Sequence, residues 1–281
     1  MAKVIAICNQ KGGTGKTTTS INLSSMLALA GQKVLLVDLD PQGNSTSGLG
    51  IDKQKIEKSL YHVIIEDLDV ASVLTKTQVE RLTIVPSNIH LSGAEIELVA
   101  VMNRENKLNK AIQPLKERFD FIIIDCPPSL GLLTINALTA ADSVIVPVQC
   151  EYYALEGLSQ LINTIELVRD NLNNKLVIEG VVLTMADYRT NLTKEVIQEA
   201  RNFFKEKIYK TVIPRNIRLS EAPSFGKPIF LYDKDSIGSN KYWELCCELL
   251  GKAKEEFVMP QVVATKPLAA NAETTIIQSE V

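Results

Sequence analysis

The chain has 281 residues, 30 Lys and Arg against 33 Asp and Glu, a formal net charge of −3, and 46% hydrophobic and 22% charged residues. That length suffices for one large domain with a full core, and the composition excludes a disordered chain and a polycation. No apolar run approaches the roughly 20 residues of a membrane span. Five cysteines (Cys8, Cys126, Cys150, Cys246, Cys247) lack metal-type spacing, which points to reduced packing residues and a cytoplasmic setting. No secretory signal precedes the first strand.

In chain order, the first predicted element is the apolar strand Val4-Ile5-Ala6-Ile7-Cys8. A helix follows, with Leu23, Met26, Leu27 and Ala30 at i, i+3, i+4 and i+7 and Gly31 as its stop. Further segments suited to buried parallel strands are Val34–Val37, Leu82–Val85, Phe121–Ile124, Val144–Val148, Val181–Leu183 and Thr211–Ile213. Helical patterns lie between them, as at Leu155, Leu158, Ile162 and Ile165, and a last one contains Cys246 and Cys247. This alternation predicts a doubly wound α/β fold: a mostly parallel sheet with helices on both faces and ligands at the carboxyl ends of the strands. After residue 257 the patterns fail. The expected organisation is one domain over residues 1–257 and a disordered tail over 258–281. The tail has one basic residue (Lys266), two Glu, two Pro and neither Trp nor Phe, so no membrane-anchoring helix is expected there.

Between the first strand and helix runs Lys11-Gly12-Gly13-Thr14-Gly15-Lys16-Thr17-Thr18. A strand, a Gly-rich turn and a helix N-terminus form the setting of a phosphate-binding loop, because backbone N–H groups and the helix dipole converge on an anion. Lys16 is placed to reach β- and γ-phosphates, and the Thr17 hydroxyl to ligate Mg²⁺. The usual first glycine is replaced by Gln10, and a second lysine, Lys11, stands five residues ahead of Lys16.

Two strands end in acids. Leu35-Leu36-Val37-Asp38-Leu39-Asp40 puts two aspartates at i, i+2, on one side. Phe121-Ile122-Ile123-Ile124-Asp125 ends in a third, which is assigned to Mg²⁺ as a Walker-B acid. Asp38 is then expected in the metal shell and Asp40 at the attacking water.

These motifs, with Asp125-Cys-Pro-Pro-Ser-Leu-Gly, Pro147-Val-Gln-Cys-Glu-Tyr-Tyr-Ala-Leu-Glu-Gly and Thr211-Val-Ile-Pro-Arg-Asn-Ile-Arg-Leu-Ser-Glu-Ala-Pro-Ser, resemble the ParA/Soj partition ATPases in order and sequence, from Met1 to about Gly251. Thr14 departs from the family's usual Val, with little effect expected in a loop that works through its backbone. The chain begins at the first strand, so it is expected to lack the N-terminal DNA-binding domain of larger members. The resemblance implies an ATPase with Mg²⁺ that forms an ATP-dependent homodimer. Lys11 then reaches the partner subunit's phosphates, Asp40 positions the hydrolytic water, and Lys11, Lys16 and Asp40 are catalytic. It further implies that Asp125 to Gly131 senses the γ-phosphate, that Pro214 and Asn216 contact adenine, and that a ParB-type protein stimulates slow turnover in origin segregation. No activating Arg is evident in the chain itself.

The segment from Ala186 to Phe230 carries nine basic and five acidic residues. On a helix, Lys194, Arg201 and Lys205 fall within about 40° of one another, opposite a buried side of Val196, Ile197, Ala200, Phe203 and Phe204. Charge alone favours a solvated face over a phosphate-binding one. The family resemblance reverses that, pointing to Arg189 and Arg218 as non-specific contacts to double-stranded DNA, with Arg215 and Lys210 behind them. No base-reading motif is evident, so backbone charge is the expected readout and a nucleoid-associated location follows. Three alternatives share the fold: a division-site membrane ATPase, an iron–sulfur electron donor, and a metabolic ATP-dependent ligase.

Overall fold

The computed structural model describes residues 1–151 and 158–252. Eight strands among them form one sheet: β1 (Lys3–Ile7), β2 (Val34–Asp38), β3 (Thr75–Lys76), β4 (Leu82–Val85), β5 (Phe121–Asp125), β6 (Ser143–Gln149), β7 (Val177–Ala186) and β8 (Ile208–Pro214). Their order is β3-β4-β2-β5-β1-β6-β7-β8, and every neighbouring pair is parallel except β3–β4. This is the predicted doubly wound α/β architecture. The two-residue edge strand β3 is an addition, too short to leave a periodic trace in the sequence.

The strands alternate between two core layers. Val4, Ala6 and Cys8 of the β1 segment join Leu35, Val37, Ile122 and Ile124 on one face, while Ile5 and Ile7 join Val34, Leu36, Phe121 and Ile123 on the other. The period of two in side-chain direction produces this division. The helix Lys16–Leu29 covers the second face with Ile21, Leu23, Met26 and Leu27, and Gly31 stops it at φ 89°. The helix Ile237–Leu249 joins it there, burying Tyr242, Trp243, Cys246 and Cys247 as packing residues. The helix Leu158–Asn171 packs Leu158, Leu161 and Ile165 on the first face; Leu155, expected in the same helix, lies outside the described residues. Residues 258–281, expected as a tail, also lie outside them.

The helix Asn191–Phe204 buries Thr193, Val196 and Ala200, but Phe203 is 63% exposed instead of buried. The stripe centred on those three residues leaves Phe203 at its margin, where its ring stands edge-on to Phe204 with centroids 4.8 Å apart.

Candidate nucleotide-binding site

β1 lies between β5 and β6, and its carboxyl end opens into the Gly-rich loop. Gly13 and Gly15 take left-handed φ values of 74° and 87°, which a side chain would strain, and Gly15 is the N-cap of the helix Lys16–Leu29. The loop is braced at three points. Asn9 Nδ2 donates to the Pro147 carbonyl at 2.7 Å, the Lys11 N–H donates to Asn9 Oδ1 at 3.0 Å, and Thr184 Oγ1 donates to the Thr14 carbonyl at 2.8 Å. Thr14 is buried, and its hydroxyl turns to the Lys11 carbonyl at 3.4 Å. Thr17 and Thr18 stand half-buried in the first helical turn.

The two lysines divide. Lys16 is buried, its Nζ donating to the Lys11 carbonyl at 2.9 Å. Burial pulls its pKa below the usual lysine value, and the charge of Asp125 opposes that pull. Lys11 is exposed, with Nζ 3.3 Å from Glu151 Oε2.

Strand parity brings the acids together. β2 and β5 pair in register with Asp38 opposite Asp125, both in phase with the residues facing the helix Lys16–Leu29. Asp125 is fully buried; Ser20 Oγ donates to Oδ1 at 2.9 Å and Ser45 Oγ to Oδ2 at 2.8 Å, and these hydroxyls, with that of Thr17, favour its charged form. Asp38 is fully buried as well. Its Oδ2 accepts the Thr46 N–H at 2.8 Å and hydroxyl at 2.7 Å, and its Oδ1 accepts the Asp40 N–H at 3.3 Å. Burial pushes both carboxyls above the carboxylate range, and for Asp38 the neighbouring Asp125 adds to it. Asp38, expected in the metal shell, thereby also holds the turn from Asp40 to Thr46. Asp40 differs from both: Oδ1 accepts the Gln42 N–H at 2.9 Å, and Oδ2 accepts no hydrogen bond from the described residues. The roles of the Ser20, Ser45, Thr46 and Thr184 hydroxyls have little trace in the sequence: Ser45 and Thr46 lie seven and eight residues after the aspartate that ends β2, and Thr184 directly follows the predicted strand Val181–Leu183.

Beside the loop is a cavity of about 490 Å³, walled by Gly15, Thr18, Met185, Pro214, Asn216 and Tyr242. Met185 holds φ 54°, a conformation uncommon outside glycine. Pro214 and Asn216 thus stand on the same cavity as the phosphate loop, 200 residues away in sequence. Arg189 and Arg218 follow, by three and four residues, the carboxyl ends of the neighbouring parallel strands β7 and β8. Lys194, Arg201 and Lys205 are exposed.

Among the described residues, no helix is long and apolar enough to cross a membrane. Cys126 and Cys150, the cysteines nearest an iron–sulfur role, are 1% and 6% exposed, a poor placement for bridging a cluster between subunits.

A family model described as an AAA domain matches residues 2–178. The sporulation initiation inhibitor protein Soj of Bacillus subtilis is 61% identical over 249 residues, spanning 89% of this chain and 98% of that protein. The chromosome partitioning protein ParA of Myxococcus xanthus is 53% identical over 250 residues, spanning 89% and 88%. Among solved structures, cobyrinic acid a,c-diamide synthase of Mycobacterium smegmatis with bound ADP and magnesium superposes with a TM-score of 0.79 at 38% identity, covering 94% of this chain and all of that one. The septum site-determining protein MinD of Pyrococcus horikoshii, complexed with Mg-ADP, gives 0.75 at 28% identity over 93% of this chain and 100% of that one. With that identity along nearly the whole length of its relatives, the chain belongs to the Soj/ParA family of chromosome-partitioning P-loop ATPases.

Proposed function

We propose that this protein is an ATP-driven switch: ATP with Mg²⁺ brings two subunits together, the dimer binds duplex DNA without sequence preference, and slow hydrolysis, stimulated by a ParB-type partner, resets it during origin segregation on the nucleoid. The supporting observation is that a buried loop lysine and three aspartates meet at the carboxyl ends of β1, β2 and β5, in a chain of this family.

The donor set suits a hard cation. Asp125 and the Thr17 hydroxyl offer oxygen atoms, and the charged form of a fully buried carboxylate is costly until a cation offsets it. Asp125 and the Thr17 hydroxyl would hold Mg²⁺, which would supply positive charge to offset that of the phosphates. The loop N–H groups from Gly12 to Thr18 would cradle the phosphates. Lys16 exchanges the Lys11 carbonyl for a phosphate oxygen, and Asp40, whose Oδ2 accepts no hydrogen bond from the described residues, orients the attacking water. Lys11 points outward and would reach the phosphates of a second subunit, where a buried triphosphate pair needs additional cations. Pro214 and Asn216 would flank adenine.

The deciding experiment is DNA binding with ATP, with ADP and without nucleotide; binding with ATP alone supports the switch, and equal binding in all three overturns it. The 38% identity to the cobyrinic acid diamide synthase supports a second reading, a metabolic ATP-dependent ligase. Turnover raised by a metabolite, and not by DNA with a ParB-type protein, would favour it.

A further inference from the structure

Of the nine basic residues between Ala186 and Phe230, two are held by carboxylates of the same chain. Arg189 forms a fork on Asp187, with Nε donating to Oδ1 at 2.8 Å and Nη2 to Oδ2 at 2.6 Å. Its backbone N–H donates to the same Oδ1 at 3.1 Å, so Asp187 sits in a turn that aims it at the guanidinium. Arg218 donates through Nη1 to Glu221 Oε2 at 3.0 Å and lies with Nε 3.5 Å from Asp233 Oδ2, while the Tyr232 hydroxyl donates to the same Glu221 Oε2 at 2.9 Å. Arg189 pulls the Asp187 carboxyl down to about 2. The remaining seven cations, Lys194, Arg201, Lys205, Lys207, Lys210, Arg215 and Lys227, make no ion pair within the described residues. The selectivity is the point: the two arginines assigned to DNA are the two that carry an intramolecular anion.

We propose that Asp187, and Glu221 with Asp233, are latches on Arg189 and Arg218 that a DNA phosphate must displace, and that they set the affinity and salt dependence of DNA binding. This rests on the reading of these arginines as DNA contacts. The Arg189 and Arg218 side chains are 85% and 54% exposed, and exposed pairs are weak enough for a phosphate to compete. The exchange nevertheless leaves a bare carboxylate beside the duplex. Each latched contact then neutralises little net charge and releases few counterions, which keeps a single subunit off DNA and leaves binding to the avidity of a dimer.

The test uses the full chain, a random-sequence duplex and a salt series, with ATP and without nucleotide, for wild type, Asp187→Asn, Glu221→Gln and the double variant Arg189→Ala/Arg218→Ala. Asn and Gln keep an acceptor oxygen for the local turn and for Tyr232. Asp187→Asn is expected to raise affinity by up to about five-fold per copy, and to steepen the log–log salt slope by about 0.9 per copy, with ATP binding unchanged. Wild-type affinity and slope in both latch variants, together with loss of binding in the double arginine variant, overturn the latch and leave the DNA surface standing. Wild-type binding by the double arginine variant overturns the DNA assignment itself.

Discussion

Lys16 and Lys11 meet at one atom and point apart: the Lys16 ammonium donates to the Lys11 carbonyl at 2.9 Å, while the Lys11 ammonium leaves the loop toward Glu151. One loop thereby holds one buried cation and one exposed cation.

Removing each should have a different result. Lys16→Ala is expected to abolish ATP binding, since the main cation on the β- and γ-phosphates is lost. Lys11→Ala is expected to retain substantial ATP binding and to lose ATP-dependent dimerisation. Light scattering with ATP checks this; dimer formation equal to wild type would rule out a cross-subunit role for Lys11.

Asp40→Ala should bind ATP, dimerise and persist as a dimer without turnover, because the acid whose Oδ2 accepts no hydrogen bond from the described residues is the one suited to water. Nucleotide affinity and phosphate release, measured on the same preparation, check it. Loss of ATP binding would place Asp40 with Asp38 and Asp125 instead.

Thr184→Val removes the hydroxyl that holds the Thr14 carbonyl and leaves that buried acceptor unpaired. A cost of about 1–3 kcal/mol is expected, divided between stability and preorganisation of the loop. Nucleotide titration should show affinity reduced by about three-fold or more with the maximal turnover little changed. Thr14→Val, whose hydroxyl makes only the long 3.4 Å contact, should be close to neutral.

The acid pair gives the nucleotide-free protein a pH dependence. Burial raises Asp38 and Asp125 above their unfolded values, so the folded state holds more protons than the unfolded state at intermediate pH. Stability from this pair is complete below the unfolded carboxylate pKa and is lost as pH rises through the folded values. Thermal melts without nucleotide should therefore fall between about pH 5 and about pH 8, and Asp38→Asn should flatten the fall. A wild-type melting curve that rises over this range would contradict the burial account.

Gly226 tests tertiary constraint alone. It holds φ 62°, and a Cβ there would lie 2.6 Å from the Gly50 Cα. Gly226→Ala is expected to cost at least about 2 kcal/mol through overpacking and backbone strain, read by denaturant unfolding, although neither glycine touches the nucleotide cavity.

The sequence by itself determined the sheet strands from Val4 to Ile213, because fully buried parallel strands are written as continuous apolar runs, and it determined the phosphate loop and the three acids, because those chemistries are contiguous in the chain. It left β3 unread, two residues carrying no period, and it placed Phe203 on the wrong side of its helix, where the stripe ends at a margin that local phase does not describe. The tertiary structure alone decided which acid keeps an oxygen that accepts no hydrogen bond from the described residues. Asp38, Asp40 and Asp125 look equivalent at strand ends, and only the register that sets Asp38 beside Asp125, with Ser20, Ser45 and Thr46 arriving from other segments, gives two of them hydroxyl partners. It likewise decided that Thr184 braces a loop 170 residues earlier, and that Arg189 and Arg218 each meet a carboxylate of the same chain. Hydrogen bonds between distant segments depend on where strands end in space, and no local pattern in the chain encodes that.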